Sequence, residues 1–402
     1  RGEGGPATAA AFITANLDIR FLATGELLIA DNSRICSLGA DRRLRRFAGS
    51  GVFGPGIDVP ALKASIAPAS LFVANEGTID FAGGSLAVFR IDSAGIVRHT
   101  AGRVAVCDYS GDGGDALSAG LCQTWDALRD AGGNLLIADS NNNRIRRVDA
   151  GTGVISTFAG SGPVNGLERY GAGSTCGDGG QAASACINTP YGLTYDDASN
   201  LYVCENEGRI RRISPSGVIG TFAEEHCTKL AWAFGHLITV AGDHIAKISR
   251  SGEVASLTSR NIGFSGDGGP ATAARIFALK QSHGVAIDGD GNLFFADGDN
   301  LRIRAIRYGA VLAPAGATIQ ATASGSTIRA IVSDATGHAA EGVRVDFAAP
   351  SSGASCTLSA PFAITDANGT AAVTCVSNCA PGTYSVTLTN GAGPCRRRSA
   401  RH

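Results

Sequence analysis

The chain lacks methionine, long apolar runs and any appreciable net charge. It starts at Arg1 without a methionine anywhere, so we expect a processed product or a segment of a longer protein. No apolar run approaches the roughly 18 residues that cross a bilayer, which argues against membrane insertion. The 34 basic and 35 acidic residues leave a net charge of -1, so no overall field would draw the chain onto nucleic acid.

Glycine and cysteine are abundant instead. The 55 glycines and the scarcity of helix-favouring apolar stretches indicate an all-β protein with many tight turns. The 11 cysteines lie in glycine-rich loops and do not form the CxxC pairs of a zinc site. They favour an oxidising, extracellular setting, with buried free thiols as the alternative.

One pattern recurs six times along the chain. Each copy is a short apolar strand, a turn rich in Asn, Asp or Gly, and a second strand of alternating polarity, which is a hairpin signature. Further strands precede and follow the hairpin, as in GVISTFAG after the third copy. Four strands per copy cannot bury both faces alone, so we expect the copies to stack around an axis as a six-bladed β-propeller. The copies are Gly25–Leu38, Thr78–Ile91, Gly133–Val148, Ser199–Ile213, Gly235–Ile248 and Gly291–Ile306.

Three motifs carry a family resemblance. The stretches ADSNNNRIRRV and YGLTYDDASNLYV, and the insertion GDGGPATAA with its copies GEGGPATAA, GDGGDALSAG and GDGGQAASA, resemble NHL repeats of teneurin-like and bacterial secreted propellers. The resemblance covers residues 1–313. The second and fifth copies depart from the pattern.

The composition changes after Pro314 to small residues, Thr and Ser. The runs STIRAIVSDATGHAAEGVRVDFAAP, AITDANGTAAVTC and APGTYSVTLTNGAG resemble a bacterial Ig-like domain of the invasin type. Alternating polarity and turns marked by Gly, Asn and Pro suit a β-sandwich. We therefore expect an Ig-like β-sandwich over 314–393 and a basic tail over 394–402.

The cysteine positions predict local disulfides. Two pairs enclose GDGG loops, and a third would join adjacent blades; a single propeller cysteine, Cys36, is left over for an intermolecular bridge or for burial on a strand. The sandwich cysteines leave their connectivity open. The three predicted pairs are Cys107 with Cys122, Cys176 with Cys186 and Cys204 with Cys227, and the sandwich cysteines are Cys356, Cys375, Cys379 and Cys395. Asn368 begins the N-G-T sequon, a possible glycan site that is also a favoured hairpin turn.

A catalytic metal site is not expected. Peptidyl-hydroxyglycine lyases, which are propellers of the resembled type, hold zinc with histidines in the channel. Here His283 begins an inner strand, but Trp125 and Tyr191 occupy equivalent places, and His226 and His244 do not repeat at matching positions. The string from Asp288 to Asn292 lacks the spacing of a calcium loop and is read as a turn. We therefore predict no catalytic residues, no metal and no cofactor.

Arginines recur after the hairpin turns and raise the question of polyanion binding. Arg144 follows Asp139 and Arg302 follows Asp297, so each hairpin is expected to supply its own carboxylate partner. This reading disfavours a nucleic-acid partner. The remaining members of the set are Arg146, Arg147, Arg209, Arg211, Arg212 and Arg304.

The leading functional prediction is a non-catalytic extracellular module, one segment of a cell-surface, adhesive or filament-forming protein of mastigoneme-like kind. Its partners would be other copies of itself, other extracellular proteins or glycans. The alternatives are a metal-dependent lyase or lactonase, and a receptor propeller that binds a glycan or a protein. Bound metal would favour the enzyme.

Overall fold

The structure is a computed structural model, and it describes most of the chain. Outside the described residues lie 1–2, 11, 13–16, 53, 55, 75–76, 84–85, 163–175, 207, 234, 279–283, 289–290, 308–317, 325, 335–336, 341–342, 353, 361, 367, 379–384, 391–398 and 402, together with the side chains of 385, 387, 389–390 and 399–401. His283, Cys379, Cys395 and Pro314, which the sequence singled out, fall in these gaps. The predicted domain boundary at 313/314 also falls in a gap and stays a prediction.

The described chain is all-β, with short 3-10 turns and no α-helix. It divides into two compact units, one holding most residues before Ile306 and the other those from Ile306 on. The first three sheets of the N-terminal unit are antiparallel and built from consecutive strands. They comprise β1 (Leu17–Phe21), β2 (Leu27–Asp31), β3 (Arg34–Leu38) and β4 (Leu44–Ala48); β5 (Val59–Pro60), β6 (Pro68–Val73), β7 (Ile79–Gly83), β8 (Ala87–Ile91) and β9 (Ile96–Ala101); and β10 (Thr124–Arg129), β11 (Leu135–Asp139), β12 (Arg144–Val148) and β13 (Ile155–Ala159).

Three more sheets of the same kind follow. They comprise β14 (Leu193–Tyr195), β15 (Leu201–Glu205), β16 (Arg209–Ile213) and β17 (Ile219–Ala223); β18 (Lys229–Ala233), β19 (His236–Val240), β20 (Ile245–Ile248) and β21 (Val254–Ser256); and β22 (Val285–Ile287), β23 (Leu293–Asp297) and β24 (Arg302–Ile306). We number these sheets 1 to 6 in chain order. They form a β-propeller, as the repeats predicted, while the blade count stays a prediction.

The inner strands of the sheets lie against one another, and the last meets the first. Arg20 on β1 donates a hydrogen bond from Nη1 to the carbonyl of Val285 on β22 at 3.1 Å. Gly284, just before β22, allows this approach, because an added Cβ would lie 3.0 Å from the Ile19 nitrogen. Gly192 has the same role beside Lys229, because a Cβ on Gly192 would lie 2.9 Å from the Lys229 Cα. The glycine before an inner strand is therefore a spacing requirement.

The core lies between the sheets. Strand β11 is buried along its whole length, since neighbouring sheets cover both of its faces. Its apolar run LLIAD, shared with β2, is the local cause, because such a strand has no polar face to offer to water. The apolar first strand of each hairpin pattern, as in β2 and β11, thus corresponds to a strand that is buried on both faces.

The C-terminal unit is a β-sandwich. One sheet has the order β25-β26-β30-β28 and the other β29-β27-β31-β32. Buried residues alternate along β26 (Ile328, Ala330, Val332) and face a core shared by both sheets. The strands are β25 (Thr318–Ser324), β26 (Thr327–Ser333), β27 (Arg344–Ala348), β28 (Cys356–Leu358), β29 (Phe362–Ile364), β30 (Thr370–Ser377), β31 (Ser385–Asn390) and β32 (Ser399–Arg401).

Candidate ligand-binding site

A buried arginine ties each GDGG loop to its sheet in three of the repeats. Arg146, whose side chain is fully buried, reaches Asp139 at 3.3 Å on the neighbouring strand and Asp112 in the loop at 2.5 Å. Asp112 also accepts hydrogen bonds from the backbone and hydroxyl of Thr157. The equivalent sets are Glu205–Arg211–Asp178 and Asp297–Arg304–Asp267. The loop aspartate therefore has a structural role.

This arrangement corrects the predicted ion pairs. Asp139 pairs with Arg146 and not with Arg144, although Arg144 lies directly opposite Asp139 in the strand register. Arg144 instead stacks on the ring of Tyr109, 3.6 Å from its centroid. Arg302 likewise stacks on Phe264, at 4.2 Å. Asp297 accordingly pairs with Arg304 and not with Arg302, the partner that the sequence suggested.

Cys36 occupies the place of the buried arginine in sheet 1. It lies opposite Ile29 in the register, as Arg146 lies opposite Ile137 in sheet 3. The carboxylate of the first loop, Glu3, pairs instead with Arg46 on the outer strand. The thiol is free and fully buried, and burial raises its pKa to about 11. These features favour the buried thiol over the intermolecular bridge.

The remaining cysteines of the described chain form local disulfides. The structure joins Cys107 to Cys122, Cys176 to Cys186 and Cys204 to Cys227, which are the three predicted pairs. In the sandwich it joins Cys356 to Cys375.

The remaining side chains that the sequence analysis named lie in separate places, except for the pair Trp125 and Tyr191. His226 is exposed, whereas His244 is buried and contacts Asp243 at 2.6 Å. No group of three or more potential metal ligands is brought together within the described ranges. Trp125 and Tyr191 contact each other, with ring centroids 6.2 Å apart. Asp288 accepts a hydrogen bond from the Asn292 backbone at 2.7 Å, as a turn requires, and Asn368 is exposed in a turn capped by Asp366.

An ionic bridge crosses the propeller channel, and the sequence analysis did not predict it. Lys229 on β18 places its Nζ 2.6 Å from Asp126 on β10 and 3.2 Å from Asp18 on β1. All three side chains are at most 3% exposed. Each aspartate also accepts a hydrogen bond from the inner strand of the next sheet, Asp18 from Leu71 and Asp126 from Leu193. The bridge therefore joins the inner strands of five sheets.

The register explains why these three residues meet. Asp18, Asp126 and Lys229 occupy the same position of the inner strand in sheets 1, 3 and 5. The same place in sheets 2, 4 and 6 holds Ser70, Gly192 and Gly284. Charged and small residues thus alternate around the channel. Aligning the six repeats on their inner strands is the signal that could have found the bridge.

A cavity of about 410 Å³ lies beyond the bridge, at the carboxyl-terminal ends of the inner strands. All six inner strands contribute to its lining, and Asp126 reaches it from the bridge. Burial raises the pKa of Tyr195 to about 12, so this lining residue presents a neutral phenol. The aromatic and cationic members of the lining are Phe21, Phe72, Tyr195, Trp232, Arg20 and Arg129. The size and the mixture of apolar walls with a few polar groups are typical of a small-molecule site.

The chain is a β-propeller followed by an Ig-like domain, and a comparison with known proteins identifies the second of these. The family model of the bacterial Ig-like domain (group 1) matches residues 316–398. No curated protein sequence matches the chain. The predicted NHL type of the propeller stays a prediction.

Several solved structures are similar in fold. A streptogramin B lyase is 16% identical with a TM-score of 0.44, over 73% of this chain and 93% of that one. A gluconolactonase from Xanthomonas campestris is 13% identical with a TM-score of 0.47, over 69% and 81%. The extracellular domain of a putative one-component system from Bacteroides thetaiotaomicron is 13% identical with a TM-score of 0.41, over 95% and 48%. At these identities the likeness concerns the fold alone.

These neighbours correct one prediction. We expected a chain that is not an enzyme, but the similar propellers include a lyase and a lactonase. The propeller fold is therefore no ground for excluding catalysis. The same likeness assigns no reaction to this chain.

Proposed function

We propose that the chain is an extracellular ligand-binding module of a larger surface protein, in which the propeller binds a small molecule in the channel cavity. The cavity carries this proposal. The ionic bridge of Asp18, Lys229 and Asp126 closes it at one end, so a ligand would enter from the opposite end and be held by the inner strands. The sandwich would act as a spacer.

Two further observations support the setting. The four disulfides among the described cysteines suit an oxidising compartment, because reduced thiols prevail in the cytosol. A propeller joined to a bacterial Ig-like domain is an architecture expected of surface proteins. The mass of the protein isolated from its native source tests this part: a free monomer of 402 residues would contradict a larger surface protein.

A cavity-filling variant tests the binding role. Ala231 lines the cavity and is half-buried, so Ala231→Trp should obstruct the cavity without disturbing the core. Compounds that bind the cavity should raise the melting temperature of the wild-type chain and not that of Ala231→Trp. Ala150→Trp, at an exposed turn, is the matched control and should respond like wild type. A ligand that stabilises Ala231→Trp as strongly as wild type would contradict the proposal.

A further inference from the structure

The charged residues that line the cavity are two cations and one carboxylate, Arg20, Arg129 and Asp126. Each of them has a counter-ion: Arg20 contacts Asp18, Arg129 contacts Asp80, and Asp126 contacts Lys229. A ligand anion would therefore be recognised by donors that these pairs leave unused, in a partly buried site where low dielectric strengthens a charge-assisted hydrogen bond.

The two lining arginines differ in their free capacity. Arg129 uses all three of its guanidinium nitrogens, since Nε and Nη2 donate to Asp80 and Nη1 donates to the carbonyl of Gly133. Arg20 makes its contacts to Asp18, Ile19 and Val285 through Nη1 alone. Within the described residues, the edge formed by its Nε and Nη2 has no acceptor. That edge matches the two oxygens of a carboxylate.

Aromatic rings supply the rest of the recognition surface. Phe21, Phe72, Tyr195 and Trp232 line the same cavity. Trp232 is held by a stacked contact with Tyr202, at 5.7 Å between centroids, and by the guanidinium of Arg250, 5.0 Å from its ring centroid. Flat rings of this kind pack against aromatic rings and against the apolar face of a sugar.

We infer that the cavity binds a small ring compound carrying one carboxylate, with Arg20 as the carboxylate partner. This inference rests on the proposed binding function. Benzoate and glucuronate are the probes, because they share the carboxylate and differ in the ring. Benzyl alcohol and glucose are their neutral counterparts.

Tryptophan fluorescence reports on the site directly. The chain has two tryptophans, and Trp125→Phe leaves Trp232 as the only one. In the full chain carrying this change, titration with benzoate or glucuronate should alter the emission saturably, with a dissociation constant of about 1 mM or tighter. The neutral counterparts should bind at least about tenfold more weakly. Whichever anion binds more tightly identifies the ring.

Substitution of Arg20 separates its role from the fold. Arg20→Gln should weaken binding at least about tenfold, and Arg20→Lys should recover part of it, because the charge returns without the paired donors. Arg45→Gln, which removes an arginine from an exposed ion pair on β4 of the same sheet, should bind like wild type. The two Arg20 variants retain the Asp18–Lys229 contact, and thermal melting checks their folding.

The failures are distinguishable. Equal affinity for an anion and its neutral counterpart, or unchanged binding by a folded Arg20→Gln, overturns the inference. Neutral ligands that bind wild type and not Ala231→Trp, with no anion binding up to about 10 mM, overturn it while the proposed function stands. If no compound of either kind binds, both fail.

Discussion

Removing the Lys229 ammonium group should destabilise the propeller strongly. In Lys229→Met the stem of the side chain is kept, but Asp18 and Asp126 lose their shared counter-ion. Asp18 keeps Arg20 at 3.1 Å, whereas the partners that Asp126 keeps among the described residues are the backbone amides of Ala127 and Leu193. Breaking a buried ion pair from one side typically costs about 3–5 kcal/mol, and we expect a loss in the free energy of unfolding in this range.

Urea unfolding followed by tryptophan fluorescence measures this loss, since both tryptophans lie in the propeller strands β10 and β18. Adding Asp126→Asn to Lys229→Met should recover much of the stability, because it removes the carboxylate that is left without a counter-ion. Lys247→Met is the matched control: it removes a lysine of the same sheet that is only half-buried, and whose pKa is lowered by burial, and should cost less than about 1 kcal/mol. A Lys229→Met variant as stable as this control, or a double variant no more stable than the single one, would refute the reasoning.

Four further outcomes are expected. Arg211→Met should cost about 3–5 kcal/mol because Glu205 loses a buried partner, whereas the more exposed Arg209→Met should cost under about 1 kcal/mol in the same urea assay. Burial raises the pKa of Asp139 to about 6, so the folded state binds the extra proton and the contribution of this carboxyl to stability should fall as the pH rises from about 4 to about 6, by up to about 1.4 kcal/mol per pH unit. Asp139→Asn should flatten that slope in pH-dependent unfolding, and an unchanged slope would count against the buried carboxyl. Cys36 should resist iodoacetamide until the chain unfolds, as peptide mapping would show; rapid native labelling would contradict its burial. Truncation after residue 313 should leave the fluorescence-detected urea midpoint unchanged, and a lost transition would show that the propeller needs the sandwich.

The strands were predictable because their causes are local. Apolar runs such as the one in β11 and turn residues such as the Asp–Asn pair at 130 and 134 act within a few positions of one another. The ion pairs of the repeats were only partly predictable. Spacing along the chain pointed to Arg144, but side chains alternate between the two faces of a strand, and Arg146 is the one placed towards both Asp139 and the loop.

The ionic bridge could not be predicted from the local spacing of residues. Its residues are separated by about a hundred positions each, and none of them stands in a motif: the strand contexts are LDIRF, TWDALR and KLAWA. Only closure of the ring brings them together. The same holds for the cavity, whose lining comes from six strands that the sequence keeps apart.

The alternation around the channel follows from space as well as charge. Inner strands converge on the axis, so six long side chains at one level could not all fit there. Small residues in sheets 2, 4 and 6 leave room for Asp18, Asp126 and Lys229, and the approach of Gly192 to Lys229 shows that no Cβ would be accommodated at that point. Since a buried charge must be paired, the identities of the three charged residues depend on one another. Two carboxylates and one ammonium leave one negative charge, which Arg20 balances through its contact with Asp18. The bridge thereby engages Arg20 through Nη1, and this links the closure of the propeller to the ligand that we infer for the cavity.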